Sequence, residues 1–253
     1  MTLCLRSSLL TGLDFRHGFS LRAGGVSVGP YASLNLGRSV SDEPEAVIEN
    51  HRLLAQDIGY EAARLYEVRQ VHGGQVERAR AEDDPELFRT RPADALISRD
   101  CALAVRVADC VAVLLADPHT GAVAAVHAGW RGVVANVIDS TVAELSRAYG
   151  SRPAQLVAAV FPCIGLEAFE VSEEVAAEVA RAVGSREVVH AREPRPHVDL
   201  ARSVALQLAR AGLAAEQLDV IAGCTFDDSA RFFSFRRDGG VTGRHLAAII
   251  PRC

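Results

Sequence analysis

The sequence predicts an α+β fold in which mixed β-sheets are flanked by helices, and three observations carry that expectation. Short apolar strands alternate with amphipathic helices, but irregularly. Several neighbouring strands are separated by turns short enough for hairpins, which a purely parallel sheet does not use. No internal repeat, low-complexity tract or linker divides the 253 residues, so a single domain over residues 1–253 is expected.

Residues 15–40 are rich in Gly, Ser and Pro and lack helical periodicity; an ordered loop of that length inside a domain is usually functional. Asp42, Glu43 and Pro44 then supply a cap, an acidic first turn and a first-turn proline. Val47, Leu53, Leu54 and Ile58 keep helical spacing to Gly59, with Asn50, His51 and Arg52 expected on the outer face. Residues 65–79 read as a hairpin turning at Gly73 and Gly74, with His72 just before the turn. Residues 80–92 are charged and read as a solvated excursion, and 93–98 as a strand. Residues 104–132 read as two apolar strands around the turn Asp117–Gly121. Asp109 and Cys110 interrupt the first strand; the second closes on His127, ahead of Gly129, Trp130 and Arg131.

A helix is expected from Arg131 to Gly150, with Val134, Val137, Ile138, Val142 and Leu145 on one face. A strand over 155–161 follows, then a helix from Ser172 or Glu173 to Val183 and another from Asp199 to Gly212. Strands are expected over 218–223, 231–236 and 246–250, with Arg236, Arg237 and Arg244 in a basic, Gly-rich loop before the last.

Composition narrows the chemistry. A net charge of −5 gives no footprint for nucleic acid. No apolar run is long enough for a membrane span and no clear signal peptide opens the chain, so a cytoplasmic location is expected. Six cysteines at 4, 101, 110, 163, 224 and 253 form no CxxC pair and suit reduced thiols; Cys163 and Cys224 are read as structural. All 27 basic residues are arginine. A lysine P-loop, a Schiff base and a lysine general base are thereby excluded, and anions fall to arginine forks, backbone amides or a metal. The signatures GxGxxG, HExxH and the PCxxC of nucleobase deaminases are missing. A multicopper oxidase needs clustered histidines and usually an axial Met, and the one Met here is the first residue.

His72, Cys110 and His127 remain as potential ligands at turns or strand ends. One Cys and two His with an open fourth position suit catalytic zinc. Cys110 with His127 alone would instead suit a cysteine hydrolase, thiol as nucleophile and imidazole as base. Taken singly, His72 is an ordinary turn residue, Trp130 a core residue, and Arg131 a helix-start residue.

The segments RAGGVSVGPYASLNLG, QVHGGQV, ADALIS, RVADCVAVLLADP, AAVHAGWRG, FPCIG, GCT and FFSFRRDGGVTGR, in that order from about Arg22 to Arg244, resemble the YfiH family, also called the laccase-domain or polyphenol oxidase family. The resemblance implies mixed β-sheets sandwiched between helices and one zinc held by His72, Cys110 and His127. It also implies phosphorolysis of adenosine, inosine and S-methyl-5′-thioadenosine, with adenosine deamination beside it. Other descriptions of the family imply a copper-dependent polyphenol oxidase or a role in peptidoglycan editing. Phe161 stands where the family usually has Gly, and Ala112 where a Pro commonly follows ADC.

On this reading the partners are purine nucleosides and phosphate. Cys110 changes from nucleophile to ligand. Arg52 is the first candidate to orient phosphate, with Arg131 and Arg236 behind it, and Asn35 and Gln70 offer amides to sugar or base. The rivals are a Cys110–His127 amide hydrolase of peptidoglycan metabolism, a copper oxidase, and a purine-binding regulator with no catalysis.

Overall fold

A computed structural model describes residues 2–252. The amino-terminal half contains β1 (Cys4–Leu5), α1 (Ser8–Gly12), β2 (His17–Ser20), α2 (Pro44–Ile58), β3 (Leu65–Tyr66) and β4 (Val76–Arg78). Then come α3 (Pro85–Phe88), β5 (Ala95–Ser98), β6 (Ala102–Val107), β7 (Val111–Ala116) and β8 (Val123–Ala128). After these follow α4 (Trp130–Val134), α5 (Val137–Tyr149), β9 (Val157–Val160), α6 (Glu173–Val183), β10 (Val189–His190) and β11 (His197–Val198). α7 (Leu200–Arg210), β12 (Leu218–Val220) and β13 (His245–Ile249) complete the set.

Two mixed sheets carry the fold, one ordered β1-β2-β13-β6-β3 and the other β12-β9-β7-β8-β5-β4; β10 and β11 form a separate pair. The side-chain alternation of β7 explains the layering. Val111, Val113 and Leu115 join a core with residues of α4 to α7, while Ala112, Leu114 and Ala116 join another with Phe19, Leu103, Val105 and Ile249 of the opposing sheet. A strand apolar on both faces is therefore buried on both. The outer face of the five-stranded sheet packs Ala104, Leu246 and Ala248 on Leu54 and Ile58 of α2. The layers run helix, sheet, sheet, helices, the sandwich expected. Phe161, which departs from the family pattern, lies in the inter-sheet core with its ring 5.4 Å from that of Phe19. Ala112 is fully buried in the same layer.

Several local expectations are corrected. Residues 65–79 do not form a hairpin: β3 pairs with β6 in one sheet and β4 with β5 in the other. The segment between them crosses from sheet to sheet, which a period-two pattern cannot distinguish from a turn. The run beginning at Ala104 makes the same crossing, since β6 pairs with β13 and β7 with β8 and β9. The helix expected from Arg131 breaks at Asn136, whose φ of 54° separates α4 from α5. Residues 231–236 form no strand, yet Phe232 and Phe233 are fully buried. Asn50 and His51 face inward on α2, hydrogen-bonded to the loop carrying Asn35 and Leu36. The excursion over 80–92 contains α3 and buries Phe88. Cys253 lies outside the described residues, and among these no helix is long and apolar enough to cross a membrane.

Candidate metal centre

The turn Asp117–Gly121 sets the register of the central hairpin. Asp117 Oδ1 accepts from the amides of His119 and Thr120, and Gly121 takes a φ of 74°, as a turn closed by an aspartate requires. The resulting register pairs Val111 with Ala128 and Ala112 with His127. Cys110, immediately before β7, and His127, one residue from the end of β8, therefore meet at one sheet end. His72 joins them from the crossing segment. The ligand atoms of the three lie within 4.8 Å of one another, and among the described residues they are the one such group of three His, Cys, Asp or Glu side chains. Cys163 is buried, and Cys224 Sγ accepts a hydrogen bond from the Gly165 amide.

Backbone strain sits at or beside two of the three candidate ligand positions. His72 has a φ of 60° and Asp109 one of 88°, left-handed conformations that cost non-glycine residues about 1–3 kcal/mol each. Asp94 offsets the first. Fully buried at the head of β5, it accepts hydrogen bonds from the amides of Val71, His72 and Gly73 at 3.2, 2.9 and 2.6 Å. The second is held by Thr225 Oγ1 and the Arg236 amide, which donate to the Asp109 carboxylate at 2.6 and 2.7 Å. Gly129 closes the space behind: a Cβ there would stand 2.9 Å from Cys110 Sγ and 3.4 Å from the His72 ring.

Asp94 also takes the Nδ1 hydrogen of His127 at 2.7 Å. That fixes the tautomer and leaves Nε2 for a metal, the carboxylate–histidine arrangement common around bound metals. Burial opposes ionisation of Asp94, but the bonds from His127 and the backbone amides outweigh it and hold the carboxyl below its ordinary range. For Cys110 burial opposes the thiolate, and the charges and hydrogen bonds of His127 and His72 overcome it, bringing the thiol to about 6. His127 is the counterpart: burial disfavours its charged form, yet Cys110 and Asp94 raise it to about 9. A buried thiolate between two imidazoles is a donor set made for a borderline-soft divalent ion. Asp94 was missed in the sequence; its one signal is an aspartate heading the otherwise apolar strand ADALIS.

The cluster opens on a cavity of about 720 Å³. Trp130, expected in the core, is half-buried on its wall with Phe169 and Phe235. Arg131 lies 4.3 Å from the Trp130 ring, and Arg236 lies 5.5 Å from the Phe169 ring and donates to the Glu170 carbonyl. Both line the cavity, as does Gln70. The Gln70 amide, however, is engaged with the backbone of Arg106, donating at 2.7 Å and accepting at 2.8 Å.

Two candidates do not reach the cavity. Arg52 is exposed on α2, paired to Glu49 one turn back, because α2 covers the far face of the five-stranded sheet. Asn35 is fully buried, donating to Asp42 and accepting from the amides of Gly37 and Arg244. In their place the structure brings Arg38, Arg69, Arg89, Arg106 and Arg244 to the cavity wall. Among these the sequence had flagged Arg244 only as a member of a basic loop.

Comparison with known proteins places this arrangement. The family model described as multi-copper polyphenol oxidoreductase laccase matches residues 16–252. A purine nucleoside phosphorylase of Deinococcus radiodurans is 44% identical over 93% of this chain and 89% of its own. One of Streptomyces coelicolor is 42% identical over 90% and 91%. The crystal structure of YlmD from Geobacillus stearothermophilus superposes with a TM-score of 0.90 at 29% identity, covering 100% of both chains. YfiH of Bacillus licheniformis does so with a TM-score of 0.88 at 29% identity, over 93% and 92%. By family model, sequence relatives and fold together, the chain belongs to the YfiH-like laccase-domain family.

Proposed function

We propose that the protein is a zinc-dependent purine nucleoside phosphorylase, converting adenosine or inosine to the free base and ribose 1-phosphate, and S-methyl-5′-thioadenosine to adenine and 5-methylthioribose 1-phosphate. The observation that carries this reading is the opening of a Cys–His–His cluster onto an arginine-walled cavity large enough for a nucleoside and a phosphate. The relatives named purine nucleoside phosphorylase support it.

His72, Cys110 and His127 would hold the ion, with Asp94 orienting His127. Bound zinc supplies Lewis-acid polarisation and charge compensation at its open position. The chain's own residues do the rest. Arginine forks hold phosphate against the anomeric carbon, turning a bimolecular encounter into a positioned one. Trp130, Phe169 and Phe235 offer apolar surface to the purine and exclude water from that side. The thiolate of Cys110 stays a ligand and does not attack. Zinc is favoured over copper because an imidazole–imidazole–thiolate set with an open position suits catalytic zinc, and the resemblance points the same way.

Zinc-loaded protein incubated with each nucleoside, with and without phosphate, tests the reading by chromatography of the products. Base and ribose 1-phosphate should form only with phosphate; inosine formed from adenosine would add the deaminase activity. Base released equally without phosphate would defeat the phosphorylase reading. Phenol oxidation that is lost on removing copper and retained without zinc would restore the oxidase.

The lowered Cys110 thiol beside a raised His127 favours one rival, a metal-free Cys–His amide hydrolase acting on peptidoglycan precursors. His72→Ala separates the two: a dyad keeps turning over without that side chain, a three-ligand metal site does not.

A further inference from the structure

The cavity wall away from the metal centre carries a second organised group. Glu67 is 1% exposed, and three guanidinium groups converge on it. Arg38 Nε and Arg106 Nε each lie 3.3 Å from a carboxylate oxygen, and Arg89 Nε lies 3.6 Å away. All three arginines line the cavity shared with His72, Cys110 and His127. Arg89 also pairs with the exposed Glu86, so two carboxylates meet three cations and one positive charge is left over, with only 28%, 15% and 17% of the side chains of Arg38, Arg89 and Arg106 exposed. A buried excess of that size is costly unless an anion meets it.

The bonding within the cluster is incomplete in the same sense. Arg89 Nε and Glu67 Oε1 are buried with no hydrogen-bond partner among the described residues. Because Arg38 and Arg106 face Glu67 through Nε, their terminal nitrogens remain as donors. The one protein contact of these atoms among the described residues is from Arg106 Nη2 to the Val68 carbonyl, at 3.4 Å. Gln70 clamps the Arg106 backbone on both sides and lies two residues from the ligand His72. The segment 67–72 thus carries the organiser of the arginines and one arm of the metal centre.

We propose that the Glu67-centred cluster of Arg38, Arg89 and Arg106 is the subsite for the inorganic phosphate dianion. Glu67 is its positioning residue, gathering guanidinium groups that would otherwise repel one another, and Arg38 and Arg106 supply the donors. The positive excess of the cluster favours an anion, and its planar forks match tetrahedral oxyanion edges. The identity of the anion rests on the phosphorylase reading; the existence of an oxyanion subsite does not. A nucleoside 5′-monophosphate carries the same chemistry and is the competing source.

The test titrates inorganic phosphate into the full-length, zinc-loaded protein without nucleoside, by calorimetry or ³¹P line broadening. Saturable binding is expected, weakened at least about tenfold in Arg38→Gln and in Arg106→Gln, with zinc content unchanged. Arg147→Gln, on the exposed pair with Glu144, should bind as the parent does. In turnover, the phosphate KM should rise by the same factor while the inosine KM holds. Arg38→Lys, keeping the charge without the fork, should fall between. Arg38 is the most exposed of the three, so Arg38→Gln decides the matter even where Arg106→Gln fails to fold.

No phosphate binding in the parent, binding within twofold of the parent when Arg38→Gln and Arg106→Gln are combined, or loss of zinc alongside affinity would each overturn the assignment. So would adenosine monophosphate cleaved in preference to adenosine in an Arg38-dependent way, which gives the subsite to the substrate's own phosphate. The two readings fail separately. Cluster-dependent phosphate binding without base release removes the phosphorylase and keeps the subsite; phosphorolysis at an unchanged phosphate KM in the variants does the reverse.

Discussion

His127 and His245 are both buried, at 3% and 0% exposure, and they have opposite electrostatic fates. His245 lies between the sheets, its ring 5.0 Å from Phe19 and 5.3 Å from Phe233. Its Nδ1 hydrogen goes to the Ser20 carbonyl at 2.8 Å and its Nε2 accepts from the Phe233 amide at 2.8 Å. Burial dominates and pushes it down to about 3, a neutral ring that ties two segments together. His127 is as dry, but a carboxylate stands at one nitrogen and a thiolate near the other, and it rises to about 9. Burial alone makes a structural histidine; burial against two anions makes one prepared for a proton or a metal.

The largest way to break that contrast is Cys110→Ala. It should abolish stoichiometric zinc, read by elemental analysis, and cut phosphorolysis by about a thousandfold or more, since several kcal/mol of charge stabilisation leave with the ion. Folding should be little affected. His245→Phe should do the converse, lowering stability by about 3 kcal/mol in denaturant titration, because a buried amide and a carbonyl lose their partner. Zinc per folded chain should stay constant. If zinc fell with His245, the two sites would not be independent.

Acidification sharpens the comparison from the structural side. Burial holds His245 near 3 and His51 near 4, both below the ordinary 6.5. The unfolded chain then binds more protons than the folded one between those values and 6.5. Stability is therefore complete above about pH 6.5 and falls as pH drops, by about 1.4 kcal/mol per pH unit for each such histidine. Melting curves from pH 7 to pH 5 should show it, and His245→Phe should flatten the slope; an unchanged slope would remove His245 from the account.

Smaller effects are expected where the ligands are supported but not removed. Asp94→Asn keeps the shape and loses the charge, so zinc affinity or turnover should fall about 10- to 100-fold. Gly129→Ala places a methyl 2.9 Å from Cys110 Sγ. It should weaken zinc about tenfold, measured by chelator competition, as overpacking of about 1–2 kcal/mol would.

Much of the architecture was legible because it follows from periodicity. The β7–β8 hairpin, α2, α6 and α7 sit within a few residues of where apolar spacing and caps place them. The failures share one cause. At 65–79 and at Asp109 the chain leaves one sheet for the other, and sequence alternation says that a strand ends without saying which sheet the next one joins. Asn50 and His51 were misplaced for a related reason: their burial depends on the loop over 33–36 folding onto α2.

The meeting of His72, Cys110 and His127 could be anticipated from the chain alone because polar, metal-competent side chains at the ends of strands buried on both faces need a reason to be there. Its supports could not. Asp94 reaches His127 across β5 and β8, and Glu67 gathers arginines from three separate segments. The sequence determined that arginine alone would carry positive charge, since it contains no lysine, and it singled out His72, Cys110 and His127 as candidate ligands. Only the tertiary structure decided which arginines face the cleft, setting Arg52 on an outer helix and Arg106 on the wall. One arginine is chemically the same as another until packing gives it a neighbour and a degree of burial.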